Sequence, residues 1–185
     1  MAFCHWAGAW VVYDRRLFFR KTCVILCGLC LYLQKLLLMS FVCALYHIVI
    51  NTYNRAHNIP LEYSDELYSY LNGIIKNHKS ECKGINGTVN HIHILVALHP
   101  SVALSDLMRE LKRSASLWMK SNPHFKKFGG WGSEYFATTF AHRDLGALRK
   151  YVDDQREHHK CFDFNDELRR IVSAYGGEWQ PWMEK

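Results

Sequence analysis

A chain of 185 residues with 49% hydrophobic and 14% aromatic side chains is long enough for one domain with a sizeable core, and too apolar to be disordered. Its formal charge of +6 is uneven: residues 1–38 carry five basic side chains against Asp14, leaving only +2 for residues 39–185. Net charge therefore makes no case for a nucleic-acid partner, and local clustering has to make it. Four of the seven cysteines lie in the first 38 residues; Cys43, Cys82 and Cys161 are scattered beyond them and read as reduced thiols of a cytoplasmic protein.

Residues 1–38 do not share the pattern of the rest. A basic stretch, 15–21, precedes an apolar run, 22–33, that ends at Gln34 and Lys35. The order is that of a leader, but no small-residue cleavage site follows, and the run falls short of the about twenty apolar residues that span a membrane. The expectation is that 1–38 is an atypical N-terminal extension, with translation starting at Met39 and a membrane anchor as the rival reading. The domain is then residues 39–185.

From Met39 the elements alternate. Residues 44–53 form a first strand. Ser64, Asp65 and Glu66 open a helix with the apolar stripe Leu67, Tyr70, Leu71, Ile74 and Ile75. A second strand covers about 82–89, and after a turn at Asn90 a third runs from His91 towards Leu98. Ser105 and Asp106 open a long helix through Lys120, with Leu104, Leu107, Met108, Leu111, Ala115 and Trp118 inward. Pro123 and the glycines at 129, 130 and 132 interrupt it. Residues 135–140 read as a fourth strand, 144–160 as a helix capped by Asp144, and 167–174 as a last helix after Asn165 and Asp166. The order β-α-β-β-α-β plus two helices is the α+β, ferredoxin-like split βαβ arrangement: an antiparallel four-stranded sheet with helices on one face.

The third strand carries the first chemistry. Period-2 geometry sends Ile92, Ile94 and Val96 to one face and His91 with His93 to the other. Two imidazoles on a rigid strand can hold a divalent metal and leave positions open for a substrate. That face needs its own cover, and helix 144–160 is the candidate. On it Tyr151 and Gln155 sit four apart and share a face, offering a phenol nucleophile and a neutral amide ligand. Neighbouring Arg149 and Lys150 are expected to ease ionisation of the phenol.

The run from Asn90 to Val96 containing His91 and His93, a basic helix, Tyr135-Phe136, and then Tyr151-Val152-Asp153-Asp154-Gln155 resembles the small single-tyrosine transposases of the HUH superfamily. These serve insertion sequences and repetitive palindromic elements. The resemblance spans about residues 39–160. It implies that His91, His93 and Gln155 ligate Mg²⁺ or Mn²⁺ and that Tyr151 attacks single-stranded DNA with hairpin ends, forming a 5′-phosphotyrosine. It further implies a homodimer, with the tyrosine helix able to serve the partner's histidines by a hinge near Gly146, and a nucleoid-associated place in the cytoplasm. No small-molecule cofactor is expected.

DNA needs a surface of its own. Arg109, Lys112, Arg113 and Lys120 lie opposite the apolar stripe of the long helix, and Lys126 with Lys127 follow; together they can track a phosphate backbone. Tyr135 is expected in the core, and Phe128 and Trp131 are open between core packing and base stacking. Two other classes remain at this stage. One is a catalytically silent DNA-hairpin-binding protein on the same fold. The other is an RNA-binding module, against which the histidines stand where stacking aromatics would be needed.

Overall fold

The computed structural model describes residues 2–6, 9–13, 42–159 and 163–180. The chain divides into two compact units, residues 1–41 and 42–185. In the first, β1 (Ala2–Trp6) and β2 (Ala9–Tyr13) form an antiparallel hairpin that pairs Ala2 with Tyr13 and Trp6 with Ala9. The apolar run 22–33 and Met39 lie outside the described residues. Among the described residues no helix is long and apolar enough to cross a membrane.

The second unit is built on a four-stranded antiparallel sheet in the order β4–β5–β3–β6, with β3 Leu45–Asn51, β4 Glu81–Gly87, β5 His91–Ala97 and β6 Phe136–Thr139. Its α-helices are α1 (Ser64–Asn77), α2 (Leu104–Ser121), α3 (Leu145–Asp153), α4 (Gln155–His158) and α5 (Phe164–Ala174). The split βαβ order expected from the sequence is the one observed. Register explains how each face is allotted. Ile48 pairs with Ile94 and Ile50 with Ile92, so four β-branched side chains share one face. Leu67, Leu71 and Ile75 of α1 and Leu107, Met108, Leu111 and Ala115 of α2 bury that face completely. Trp118 is only partly buried, stacked on Tyr70 with ring centroids 4.9 Å apart.

The same register puts His47, Val49 and Asn51 of β3 opposite Leu95, His93 and His91 on the other face. Val49 packs there against Phe164 and Ile171 of α5. The turn between β4 and β5 admits only glycine at 87, because a Cβ would lie 2.3 Å from the His91 carbonyl oxygen. Thr88 closes the turn by donating its amide to that oxygen at 2.9 Å.

Local capping differs from the expectation. The Ser64 hydroxyl donates to the Leu61 carbonyl and accepts from Arg156, so it caps no amide of α1. At α5 the cap is Asp163, which accepts from the Asn165 amide. The expected helix 144–160 is interrupted at Asp154 (φ −85°, ψ 7°), with α3 before it and the short α4 after it. The end of α3 is tethered to the sheet edge, where the Asn86 side chain donates to the Asp153 carbonyl at 2.8 Å.

Candidate active site

His91 and His93 are both fully buried on β5. The Nδ1 of His91 lies 2.8 Å from the Asn90 side-chain oxygen and 3.0 Å from the Thr88 hydroxyl. A carboxamide oxygen only accepts, so Nδ1 carries the proton and Nε2 presents a lone pair. The Nδ1 of His93 lies 2.9 Å from Nε2 of His47, whose ring stacks beside it. Burial lowers His91 to a pKa of about 4. Burial, then the neighbouring His93, lowers His47 to about 3. Both are therefore neutral at physiological pH, the form in which an imidazole can ligate a metal.

α3 brings Tyr151 over this pair, its ring centroid 5.9 Å from that of His93. The phenol does not point at a histidine. It donates to Oε1 of Glu167, a residue of α5 that sequence reasoning did not single out. Gln155 donates its amide to the same oxygen at 2.9 Å, and Nε2 of His159 lies 2.8 Å from Oε2. The carboxylate also approaches Nε2 of His91 to 3.4 Å and Nε2 of His93 to 3.5 Å. Burial pulls the Glu167 carboxyl up, but hydrogen bonding with His159 and the close imidazoles of His91 and His93 outweigh it. The group is held well below the usual carboxylate range. For Tyr151 burial comes first, and the charge and hydrogen bond of Glu167 add to it, raising the phenol well above its ordinary value. The easing expected from Arg149 and Lys150 is not what governs it: Arg149 faces Asp153 at 3.9 Å, and both cations are exposed.

A metal is testable against these residues. Nε2 of His91, Nε2 of His93 and Oε1 of Gln155 are buried atoms without a hydrogen-bond partner. Each such atom costs about 1–3 kcal/mol unless something meets it. Among the described residues His91, His93 and Glu167 form a cluster whose ligand atoms lie within 4.8 Å of one another. Two imidazole nitrogens with a carboxylate oxygen suit a divalent ion of the Mn²⁺ or Mg²⁺ kind, while Gln155 meets this cluster through its amide nitrogen, which donates to Glu167. The residues fit the group.

The basic side chains are not part of this cluster. α2 covers the isoleucine face, so the sheet stands between its cations and the histidines. Arg109 pairs with Asp106 at 2.6 Å, while Arg113, Lys120, Lys126 and Lys127 are exposed. Lys112 is turned inward and donates to the carbonyls of Gly132, Ser133 and Glu134 at 3.0, 3.1 and 2.6 Å. Phe128 and Trp131 are buried against each other. Tyr135, expected in the core, is 37% exposed, because its ring lies alongside the Lys112 ammonium at 5.4 Å and not beneath the sheet.

Comparison with known proteins agrees with this architecture. A candidate transposase of Deinococcus radiodurans R1 superposes with a TM-score of 0.50 at 22% identity, covering 63% of this chain and 95% of its own. The structure of a REP-associated tyrosine transposase bound to a REP hairpin gives 0.51 at 13% identity, covering 65% and 72%. These likenesses establish the fold. No curated protein matches. The family model described as "Transposase IS200 like" matches residues 40–155, well over half of the chain and a span that contains His91, His93, Tyr151 and Gln155, and the chain belongs to that family.

Proposed function

We propose that this DNA transposase cleaves and rejoins single-stranded DNA at hairpin-flanked ends by way of a 5′-phosphotyrosine on Tyr151. The observation that carries the reading is the convergence of the Tyr151 hydroxyl, the Gln155 amide and the paired histidines on one buried carboxylate, Glu167. The structural likeness to a transposase holding a DNA hairpin supports the partner.

The Tyr151 oxygen would attack the phosphorus of a phosphodiester, forming a Tyr–O–P bond to the 5′ side. The P–O3′ bond breaks, and the leaving oxygen takes a proton as a free 3′-hydroxyl. A 3′-hydroxyl of the joining strand reverses the step and releases the phenol, so no bond energy is lost and no nucleotide cofactor is needed. Glu167 positions the phenol through its hydrogen bond, and His47 and Asn90 fix the His93 and His91 rings. His91, His93, Gln155 and Glu167 would hold a divalent ion, which would supply positive charge against the charge that builds up on the phosphate during transfer. At rest the buried phenol beside a carboxylate stays protonated and inert.

The test is covalent capture. Wild-type protein with a 5′- or 3′-labelled single-stranded hairpin substrate and Mg²⁺ should give a denaturation-resistant adduct, mapped by mass spectrometry to Tyr151. Tyr151→Phe should bind the same DNA and leave cleavage lower by at least about a thousandfold. Cleavage at the wild-type rate by Tyr151→Phe would overturn the reading.

A further inference from the structure

We infer that the cavity beside Phe164 is a nucleobase pocket that takes one unpaired base of the DNA strand next to the catalytic cluster. The inference rests on the single-strand reading above and extends it to a binding site.

The cavity has a volume of about 410 Å³, within the range of small-molecule sites. Two of the large aromatic side chains that the fold leaves open line it: Tyr53, 59% exposed, and Tyr135, 37% exposed. Val49, Phe136, Phe164, Leu168 and Val172 make the rest of the lining largely apolar, and exposed aromatic rings beside an apolar hollow are what an unpaired base requires for stacking. Asn51, Asn54 and Arg55 line the same space and can meet the edge of a base with donors and acceptors. Glu134 also lines it, so the cavity does not collect positive charge and does not suit a phosphate; a neutral base suits it better.

Its shape is built in advance. Asn54 and Arg55 both have φ of 52°, a left-handed conformation that costs a non-glycine residue on the order of 1 kcal/mol. The loop is nonetheless fixed, because the Thr52 amide donates to the Asn90 carbonyl at 2.9 Å and the Tyr53 amide to Gly130 at 2.8 Å. Asn90 is the residue that sets the His91 tautomer, so the loop and the catalytic strand share an anchor. Lys112 holds the lining segment Gly132 to Tyr135 through its three carbonyl contacts and its approach to the Tyr135 ring.

The link to the chemistry is a single ring. Phe164 lines the cavity and stacks on His91 with centroids 4.2 Å apart and an angle of 25°. The Arg55 guanidinium sits 5.2 Å from the same ring. Phe164 therefore touches both the hollow and His91. A strand with one phosphate at the histidines can place the base of an adjoining nucleotide against Tyr53 or Tyr135.

The experiment uses the full chain and an oligothymidylate carrying a single 5-iododeoxyuridine at successive positions, cross-linked by light and mapped by mass spectrometry. Cross-links should fall on Tyr53 or Tyr135. The Tyr53→Ala, Tyr135→Ala double variant should bind the single strand about tenfold more weakly or worse, while Tyr53→Phe and Tyr135→Phe keep the stacking face and bind as wild type. Both side chains are exposed, and equal melting temperatures check that the fold is intact. Cross-links confined to other residues, with unchanged affinity of the double variant, overturn the pocket. If the Tyr151 adduct still forms in that case, the cleavage reading survives alone; cross-links at Tyr53 without any Tyr151 adduct leave the pocket and remove the cleavage.

Discussion

At the scale of single residues, Glu167 changes what the cluster can do. The ligand set legible in the sequence, two imidazoles and an amide, carries no charge, whereas the carboxylate of Glu167 adds one negative charge beside both Nε2 atoms. We expect Glu167→Gln to lower Mn²⁺ affinity about 10- to 100-fold in calorimetry on the protein without DNA. Tighter binding in the variant would instead mark the carboxylate as an internal competitor. His91, His93, Tyr151 and Gln155 were readable because each pair is set by a short repeat, two along a strand or four along a helix. Glu167 had no such signature: an acid in the first turn of a helix is ordinary there, and its partners stand at no helix or strand spacing from it. His47 was within reach, since it lies two residues before Val49, the cross-strand partner of His93, and so shares its face.

At the scale of elements, α2 and the segment it holds separate two roles that the sequence merged. A basic face reads the same whether its cations meet phosphates or carbonyls of their own chain. Lys112 does the second, and burial lowers its pKa. Lys112→Ala should cost about 1–2 kcal/mol in chemical denaturation by leaving three carbonyls without their charged donor. Arg113→Ala should leave stability within about 0.5 kcal/mol and reduce the salt slope of DNA binding by about one. Identical behaviour of the two variants would erase the distinction. The strand and helix order was legible from periodicity, because one buried face per element leaves a clean pattern. The break at Asp154 was not, because Asp153, Asp154 and Gln155 are unexceptional in a helix, and the Gln155 contact to Glu167 of α5 just after it is tertiary.

For the whole molecule, the histidines, the tyrosine and Glu167 are brought together by one chain. We propose that residues 39–185 suffice for this and that the protein is a homodimer, as the resemblance implies, each subunit with its own tyrosine in place. Mixing His91→Ala and Tyr151→Phe chains that begin at Met39 should then restore no cleavage, although light scattering reports dimers. Recovery of activity in the mixture would show that α3 is exchanged between subunits. Residues 1–38 are set apart in the sequence by their charge and their cysteines, and we propose that they lie outside the transposase domain.

On the proposed cleavage reading, a buried carboxylate beside an incoming phosphodiester couples the binding of DNA to that of the ion. Two anions in so dry a space repel strongly, and only a cation between Glu167 and the phosphate lets both remain. DNA and divalent ion are then linked ligands, each raising the affinity of the other by the same factor. Titrating Tyr151→Phe with a single-stranded hairpin, with and without Mn²⁺, should give this factor directly, and it should shrink towards unity in Glu167→Gln. The element would then stay silent until the metal is in place, a safeguard for an enzyme whose substrate is the genome that encodes it.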